Sequence, residues 1–217
     1  MLSFSTAVDI AVGRGAQVIP YRWRDPSAAW YAAERGALLA GGRSAAGYSL
    51  SPASLLEIEP ETALVLPSPN GGALSLSAGR GVYTACLRNA PSVARAVRKQ
   101  GPSVAVIPAG EQWPDGQIRM AVEDLLGAGA VLAGLSGRMS PEAEVAVAAF
   151  ERFQHCLPEA LAGCISGREL AGRGFARDVA LAAEYDVSRI APVLQGDCFV
   201  AERTLPGATD PERPASL

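Results

Sequence analysis

The sequence predicts an α/β fold: a three-layer α/β/α arrangement built on a mainly parallel sheet. Short apolar runs alternate along the chain with stretches that carry helix-start signals, and this order is typical of such folds. Hydrophobic residues make up 49% of the chain and charged residues 19%. Ala, Gly and Val dominate, and these small residues suit close packing of helices on a sheet. We predict one domain over residues 1–202 and a flexible tail over the Pro-rich, polar residues 203–217.

Five apolar segments predict the strands, and SVAVIP at 103–108 has the clearest pattern because turn signals bound its apolar residues. The five segments are QVIPY (17–21), TALVLP (62–67), VYTAC (82–86), SVAVIP (103–108) and IAPVLQGDCFV (190–200). The chain opens on a helix with no strand before it, although doubly wound folds usually begin with a strand. The sheet is therefore expected to lack its N-terminal strand.

The helices are predicted from capping residues followed by apolar, Ala-rich stretches. Ser5 or Thr6 caps a first helix to about Val12, and Ser140-Pro141 starts one that runs to about Cys156. Further helices are predicted at 28–40, 73–78, 92–100 (capped by Asn89), 118–134 and 175–185. Residues 41–60 form a long Gly/Ser/Pro-rich loop, which in a compact domain is often functional.

Charge and cysteine usage exclude several classes of function. The net charge is −3 and no block of Lys or Arg forms a stripe, so a nucleic-acid partner is not expected. No apolar run reaches the ~20 residues of a membrane helix, and the start lacks the basic region of a signal peptide. Four scattered cysteines and one histidine favour free thiols over a zinc site. We expect a cytoplasmic protein.

Ligands in such sheets bind at the carboxyl ends of strands, and three loops there have suitable composition. The first is hydroxyl-rich, the second has two glycines that let backbone N–H groups converge on an anion, and the third carries Glu111. The candidate anion-binding residues of the first two loops are Ser5, Thr6, Ser68, Asn70, Gly71 and Gly72. A plain turn explains the Asn-Gly pair equally well.

The loop at Glu111 leads to a helix that carries Glu123 and Asp124, and two interpretations are open. In the first, the pair belongs to an exposed acidic face and Arg119 pairs with Glu123 at i,i+4. In the second, Glu111, Glu123 or Asp124 is an oxygen ligand for Mg²⁺, which prefers a few carboxylates plus water. Adjacent helical residues point about 100° apart, so at most one of Glu123 and Asp124 is expected to face inward easily.

The segment Ser166-Gly167-Arg168-Glu169 also has two interpretations. It is either a capping box at a helix start or an anion site in which Arg168 clamps an oxyanion. Asp178 lies on the helix that follows. No P-loop, no G-x-S-x-G and no strand followed by G-x-G-x-x-G is present.

Seven collinear stretches resemble the 2-phosphosulfolactate phosphatase family, from about Leu2 to Leu194. They are LSFSTAVDIAVGRGAQVIP, LPSPNGGAL, CLRNAPSVA, VIPAGE, EDLLGAGA, SGRELAGRGFARDV and YDVSRIAPVL. The resemblance implies a Mg²⁺-dependent phosphatase that hydrolyses the phosphate monoester of a small anionic acid, a step of coenzyme M biosynthesis in some organisms. Residues that match the family pattern are Asn70, Gly71, Glu123, Asp124, Ser166, Gly167, Arg168 and Asp178.

Two loops depart from the family pattern. Ser3 stands where the family has an arginine, an aspartate expected before it would precede Met1, and a second arginine is replaced within Pro69–Ala73. The catalytic residues expected here are therefore Glu123, Asp124 and Arg168, with metal at Glu111, Glu123 or Asp124. The alternative is a catalytically impaired or truncated member that acts as an anion-binding or interaction module. A homo-oligomer is left open.

Overall fold

The computed structural model describes residues 1–202, so the tail predicted at 203–217 lies outside the described residues. The described chain is a mixed α/β structure, as the sequence predicts. Its helices are α1 (Phe4–Gly13), α2 (Ser27–Glu34), α3 (Gly71–Ser77), α4 (Ala90–Val97), α5 (Val122–Ala133), α6 (Pro141–Phe153), α7 (Leu157–Gly163), α8 (Ile165–Gly172) and α9 (Ala176–Ala183). Within residues 1–202, the first element is α1.

The central sheet has the order β2-β3-β1-β7-β6 and is mostly parallel. β1 pairs with β3 in parallel over five residues, β2 pairs with β3 in parallel, and β7 runs antiparallel to both β1 and β6. A separate two-stranded antiparallel sheet joins β4 and β5. The strands are β1 (Gln17–Tyr21), β2 (Leu38–Leu39), β3 (Ala63–Pro67), β4 (Glu111–Gln112), β5 (Ile118–Arg119), β6 (Pro192–Gln195) and β7 (Cys198–Ala201).

The two faces of the sheet bury different helices because successive strand residues point to opposite faces. Val18 and Leu64 face α1, where they join a core cluster with Phe4 and Phe199. Ile19 on the same strand as Val18 points the other way and packs with Ala32 of α2. Helices therefore cover both faces, which confirms the three-layer arrangement. The apolar residues of α4, α5, α6, α7 and α9 form a further core cluster beside the sheet.

The strand predicted at 103–108 is wrong. Residues 101–109 form no strand and make no backbone–backbone hydrogen bond within the described chain. Val104 is 39% exposed and Ile107 63% exposed. An apolar run predicts that a segment is buried, but a strand also needs a neighbouring strand whose backbone groups are unpaired on the facing edge. The observed sheet pairs its five strands without this segment.

Other elements also differ from the sequence predictions, and the segment predicted as one strand at 190–200 forms the two strands β6 and β7. The helix predicted at 28–40 ends at Glu34, and Leu38–Leu39 form the edge strand β2 instead. VYTAC at 82–86 is not a strand but makes one antiparallel bridge, from Tyr83 to Val193. The helix predicted from 118 begins at Val122, because residues 118–119 pair with β4. Within residues 1–202, no helix combines the length and the apolar character needed to cross a membrane.

Candidate functional site

The parallel strands β1 and β3 end side by side and present the loop Ser68–Gly72 at the edge of the sheet. The N–H of Ser68 donates to the carbonyl of Tyr21 at 2.9 Å, which extends the strand pairing by one residue. The Ser68 hydroxyl then accepts from the N–H of Gly71 at 3.2 Å. Ser68 is therefore buried as a turn-forming residue, and α3 begins directly after Asn70.

Gly72 allows α3 to pack directly on the end of β1. A Cβ at this position would overlap the carbonyl oxygen of Tyr21. Only glycine therefore lets the two backbones approach this closely. Gly71 is adjacent to the ring of Phe4, so the same loop also touches the start of α1.

Asn70 joins this loop to the segment that contains Glu111. Its side-chain amide donates to the carbonyl of Gly110 and to the carboxylate of Glu111, each at 3.4 Å. The N–H of Gly110 donates in turn to the carboxylate of Asp124 at 2.8 Å. The loop at Asn70, the loop at Glu111 and the acidic pair therefore lie together beside the carboxyl end of β3, although the segment before Glu111 is not a strand of the sheet.

The acidic pair is not an exposed helix face. Glu123 and Asp124 are both buried, in the first turn of α5. They point to different partners: Asp124 accepts from Gly110 and from the amine of Met1, and Glu123 faces the thiol of Cys164 at 3.6 Å. The exposed-face interpretation and the expectation that only one carboxylate would be buried are therefore wrong.

Glu111 lies in an electrostatically mixed position. Burial raises the pKa of its carboxyl, and the nearby charges of Asp124 and Glu123 raise it further. The charge of Arg119, which is directly opposite Glu111 in the β4–β5 register, lowers the pKa. Three carboxylates, one guanidinium and the amine of Met1 therefore share this corner of the site.

Arg119 is a site residue that the sequence interpretation missed. It is only 6% exposed, and its guanidinium donates to Glu169 at 2.9 Å and to the hydroxyl of Ser166 at 3.2 Å. Its Nε has no hydrogen-bond partner within the described residues. The predicted i,i+4 pair with Glu123 is wrong, because Arg119 lies on a strand and pairs with α8. The β4–β5 pairing, which the sequence did not indicate, places Arg119 in the site.

The start of α1 is a third wall of the site. Ser3 is the N-cap, yet its hydroxyl accepts from the guanidinium of Arg43 rather than from the helix backbone. The first intrahelical N–H is that of Ala7, so the N–H groups before it are not used within the helix. Ser5 is half-buried, and the buried Thr6 donates its hydroxyl to the carbonyl of Met1 at 2.9 Å.

The segment at 166–168 serves mainly to start α8. The cap is the sulfur of Cys164, which accepts from the N–H of Gly167 at 3.3 Å, so the capping box predicted from Ser166 is not formed. A Cβ at Gly167 would overlap the carbonyl of Leu161. Arg168 is exposed and has no side-chain hydrogen bond or ion pair among residues 1–202. The anion-binding role of this segment stays a prediction, and Arg119 is the cation next to Ser166.

A large cavity opens beside these loops. Its volume is about 770 Å³, within the range of small-molecule sites. Ser5, Gly71 and Asp124 line one side, and the apolar segments 82–85 and 103–109 line the other. A small ligand can therefore contact the polar loops while its remainder lies against apolar surface.

A metal ion at these carboxylates would need further ligands from water or substrate. Among residues 1–202, no three or more His, Cys, Asp or Glu side chains are grouped closely enough to form a metal site of their own. Mg²⁺, however, often uses one or two carboxylates and completes its shell with water and substrate phosphate. Asp124 is already paired with the amine of Met1, so Glu111 and Glu123 are the carboxylates left for such an ion.

Asp178, which the sequence places on a helix and which matches the family pattern, organises the loop 41–60. It is 1% exposed and pairs with Arg43. It also accepts from the hydroxyl of Ser51 at 2.6 Å and from the N–H of Ala53 at 3.1 Å. These bonds fix Arg43 against Ser3. The loop 41–60 thus places the guanidinium of Arg43 at the start of α1, where the side chain of Ser3 carries no positive charge.

Comparisons with known proteins agree on one family. The family model described as 2-phosphosulpholactate phosphatase matches residues 2–197. A 2-phosphosulfolactate phosphatase from Methanothermobacter thermautotrophicus is 29% identical over 197 residues, which cover 89% of this chain and 83% of that protein.

Proposed function

We propose that this chain, which belongs to the 2-phosphosulfolactate phosphatase family, hydrolyses 2-phosphosulfolactate in a Mg²⁺-dependent reaction. The family consists of phosphoric monoester hydrolases. The observation that carries the proposal is the hydrogen-bonded chain from Asn70 through Gly110 to Asp124. It joins an anion-binding loop to a group of carboxylates within one site.

The phosphate would lie between the loop at 70–72 and the start of α1. Backbone N–H groups of both segments and the side chain of Asn70 would donate to its oxygens. Arg119 would contribute the positive charge, since its unpartnered Nε leaves one donor free for a ligand. Donors that are already oriented stabilise the charge that develops on the phosphoryl oxygens without reorganising.

Glu111 and Glu123 are the residues that would hold Mg²⁺, and Asp124 would position the Gly110 turn that carries Glu111. When bound, Mg²⁺ supplies charge neutralisation at the phosphoryl group and a more acidic water. In the reaction, the oxygen of water bonds to phosphorus while the bond from phosphorus to the lactate oxygen breaks. That oxygen takes up a proton, and the products are sulfolactate and inorganic phosphate.

The cavity and the free thiols support two further parts of the proposal. The cavity of about 770 Å³ admits a small phosphorylated acid. The four cysteines are all free thiols, which agrees with a reducing compartment such as the cytoplasm.

The test is release of inorganic phosphate from 2-phosphosulfolactate by the purified chain in the presence of Mg²⁺. The matched variants are Asn70→Ala, which removes a donor from the site, and Gln154→Ala, which removes an exposed amide at the end of α6. Loss of one donor to a developing oxyanion lowers kcat by about 100-fold, so we expect this for Asn70→Ala only. Absence of turnover by the unmodified chain, or equal rates for the two variants, contradicts the proposal.

A further inference from the structure

Three arginines from distant segments gather beside the candidate phosphate site. They are Arg24, which follows β1, Arg43 in the loop 41–60, and Arg173, which ends α8. Their charges are close enough to act on one another, and together they are called the arginine cluster. Arg43 lies 5.1 Å above the ring of Phe175, two residues after Arg173. A cavity of about 320 Å³ is lined by Arg24, by Gly41 and Gly42, and by Pro67.

The arginine cluster touches two loops that form the phosphate site. The guanidinium of Arg43 donates to Ser3 at the start of α1. The Nε of Arg24 donates to the carbonyl of Pro67 at 3.3 Å, one residue before Ser68. The arginine cluster therefore borders the same two segments as the phosphate site.

The charges of the arginine cluster are only partly compensated. Arg43 is 10% exposed and is paired with Asp178. Arg24 and Arg173 are exposed and form no ion pair within residues 1–202. Partial burial and then the charge of Arg173 lower the pKa of Arg24. Burial is the main cause that lowers the pKa of Arg43; Asp178 opposes it, and the charges of Arg24 and Arg173 lower the pKa further. Like charges brought together in this way favour binding of an anion.

We propose that Arg24, Arg43 and Arg173 form a second anion subsite, which holds the carboxylate or sulfonate of the substrate while its phosphate lies at Asn70. The substrate class is thus phosphate monoesters that carry at least one further anion. This inference rests on the proposed function for the identity of the first group. Guanidinium groups suit the subsite because their planar donors match the oxygens of carboxylates and related oxyanions.

The test compares the double variant R24Q/R173Q with the unmodified chain on two esters. 2-Phosphosulfolactate carries a carboxylate and a sulfonate, whereas p-nitrophenyl phosphate carries no anion besides its phosphate. We expect kcat/KM for 2-phosphosulfolactate to fall about 100-fold, roughly tenfold for each charged donor removed, and to change less than about twofold for p-nitrophenyl phosphate. Equal losses on both esters, or no loss on either, overturn the subsite.

The control is Arg138→Gln, which removes an exposed arginine between α5 and α6 and should alter neither ester. Arg43 is left unchanged because its loss would leave the buried carboxylate of Asp178 without its ion-pair partner. 2-Phospholactate identifies the bound group. If R24Q/R173Q is impaired on it, the subsite holds the carboxylate; if only the sulfonated ester is affected, it holds the sulfonate.

A binding measurement separates this inference from the proposed function. Sulfolactate, which has no phosphate, is titrated calorimetrically into the unmodified chain and into R24Q/R173Q. Binding that weakens at least tenfold in the double variant supports the subsite even if neither ester is hydrolysed. No binding to the unmodified chain, or unchanged binding in the variant, overturns the subsite whatever the phosphatase assay gives.

Discussion

Arg119→Lys tests the assignment of the cation at the phosphate site. Lysine keeps the positive charge but loses the planar fork with which Arg119 reaches both Glu169 and Ser166, and it has no Nε to offer a third partner. Losing one oriented donor to a developing oxyanion costs about 2.7 kcal/mol of transition-state stabilisation, which is a factor of about 100 in kcat. We therefore expect kcat for 2-phosphosulfolactate to fall about 100-fold.

The matched control is Glu169→Gln, which removes the charge partner and leaves Arg119 itself intact. Glu169 is 53% exposed, and exposed ion pairs contribute at most about 1 kcal/mol. We expect this variant to keep kcat within about threefold of the unmodified chain. Phosphate release under saturating substrate measures both variants. Arg119→Lys with unchanged kcat, while its melting temperature is also unchanged, would refute the role of Arg119 at the phosphate.

Three further predictions follow from the packing and the charges. Gly72→Ala forces a Cβ against the carbonyl of Tyr21 and should lower the free energy of unfolding by roughly 2–3 kcal/mol in urea titrations. The control is Gly101→Ala, whose added Cβ meets open space and should leave the free energy of unfolding unchanged. Equal effects of the two variants would contradict the packing argument. Burial raises the pKa of Asp9, so the folded state holds this proton more tightly and loses stability as pH rises through the folded pKa. The stability of Asp9→Asn should therefore fall less between pH 4 and pH 7 than that of the unmodified chain, and parallel curves would be evidence against it. Dialysis against EDTA should abolish phosphatase activity, and added Mg²⁺ should restore it. The Glu111→Gln variant should need a higher Mg²⁺ concentration for the same recovery. Full activity in the presence of EDTA would exclude the metal requirement.

Local sequence signals predicted some of the elements that meet at the site. The apolar runs of β1 and β3 and the Asn-Gly turn after β3 lie where they were expected. Their loops converge because parallel neighbouring strands end at the same edge of a sheet. The contact of Asn70 with Glu111 does not follow from this rule, because the segment before Glu111 is not a strand of the sheet; hydrogen bonds from the Asn70 side chain to Gly110 and Glu111 make it.

The misses have a common physical cause, which is that they depend on long-range pairing. The apolar run 103–108 predicts burial, but it does not indicate whether a neighbouring strand is available for pairing. Arg119 reaches the site through the short β4–β5 pairing, and Arg43 does so through its ion pair with Asp178, 135 residues away along the chain. A sequence pattern records the residue type at each position, but only tertiary contacts select which arginines face the ligand.

A crystal structure of the chain with bound orthovanadate tests the central claim most directly, because vanadate mimics the phosphoryl group. We expect the vanadate oxygens within hydrogen-bond distance of the backbone N–H groups at 70–72 and of Arg119. Vanadate bound elsewhere, with the loops at Asn70 and Glu111 making no contact to it, would contradict the claim that these loops form one phosphate site.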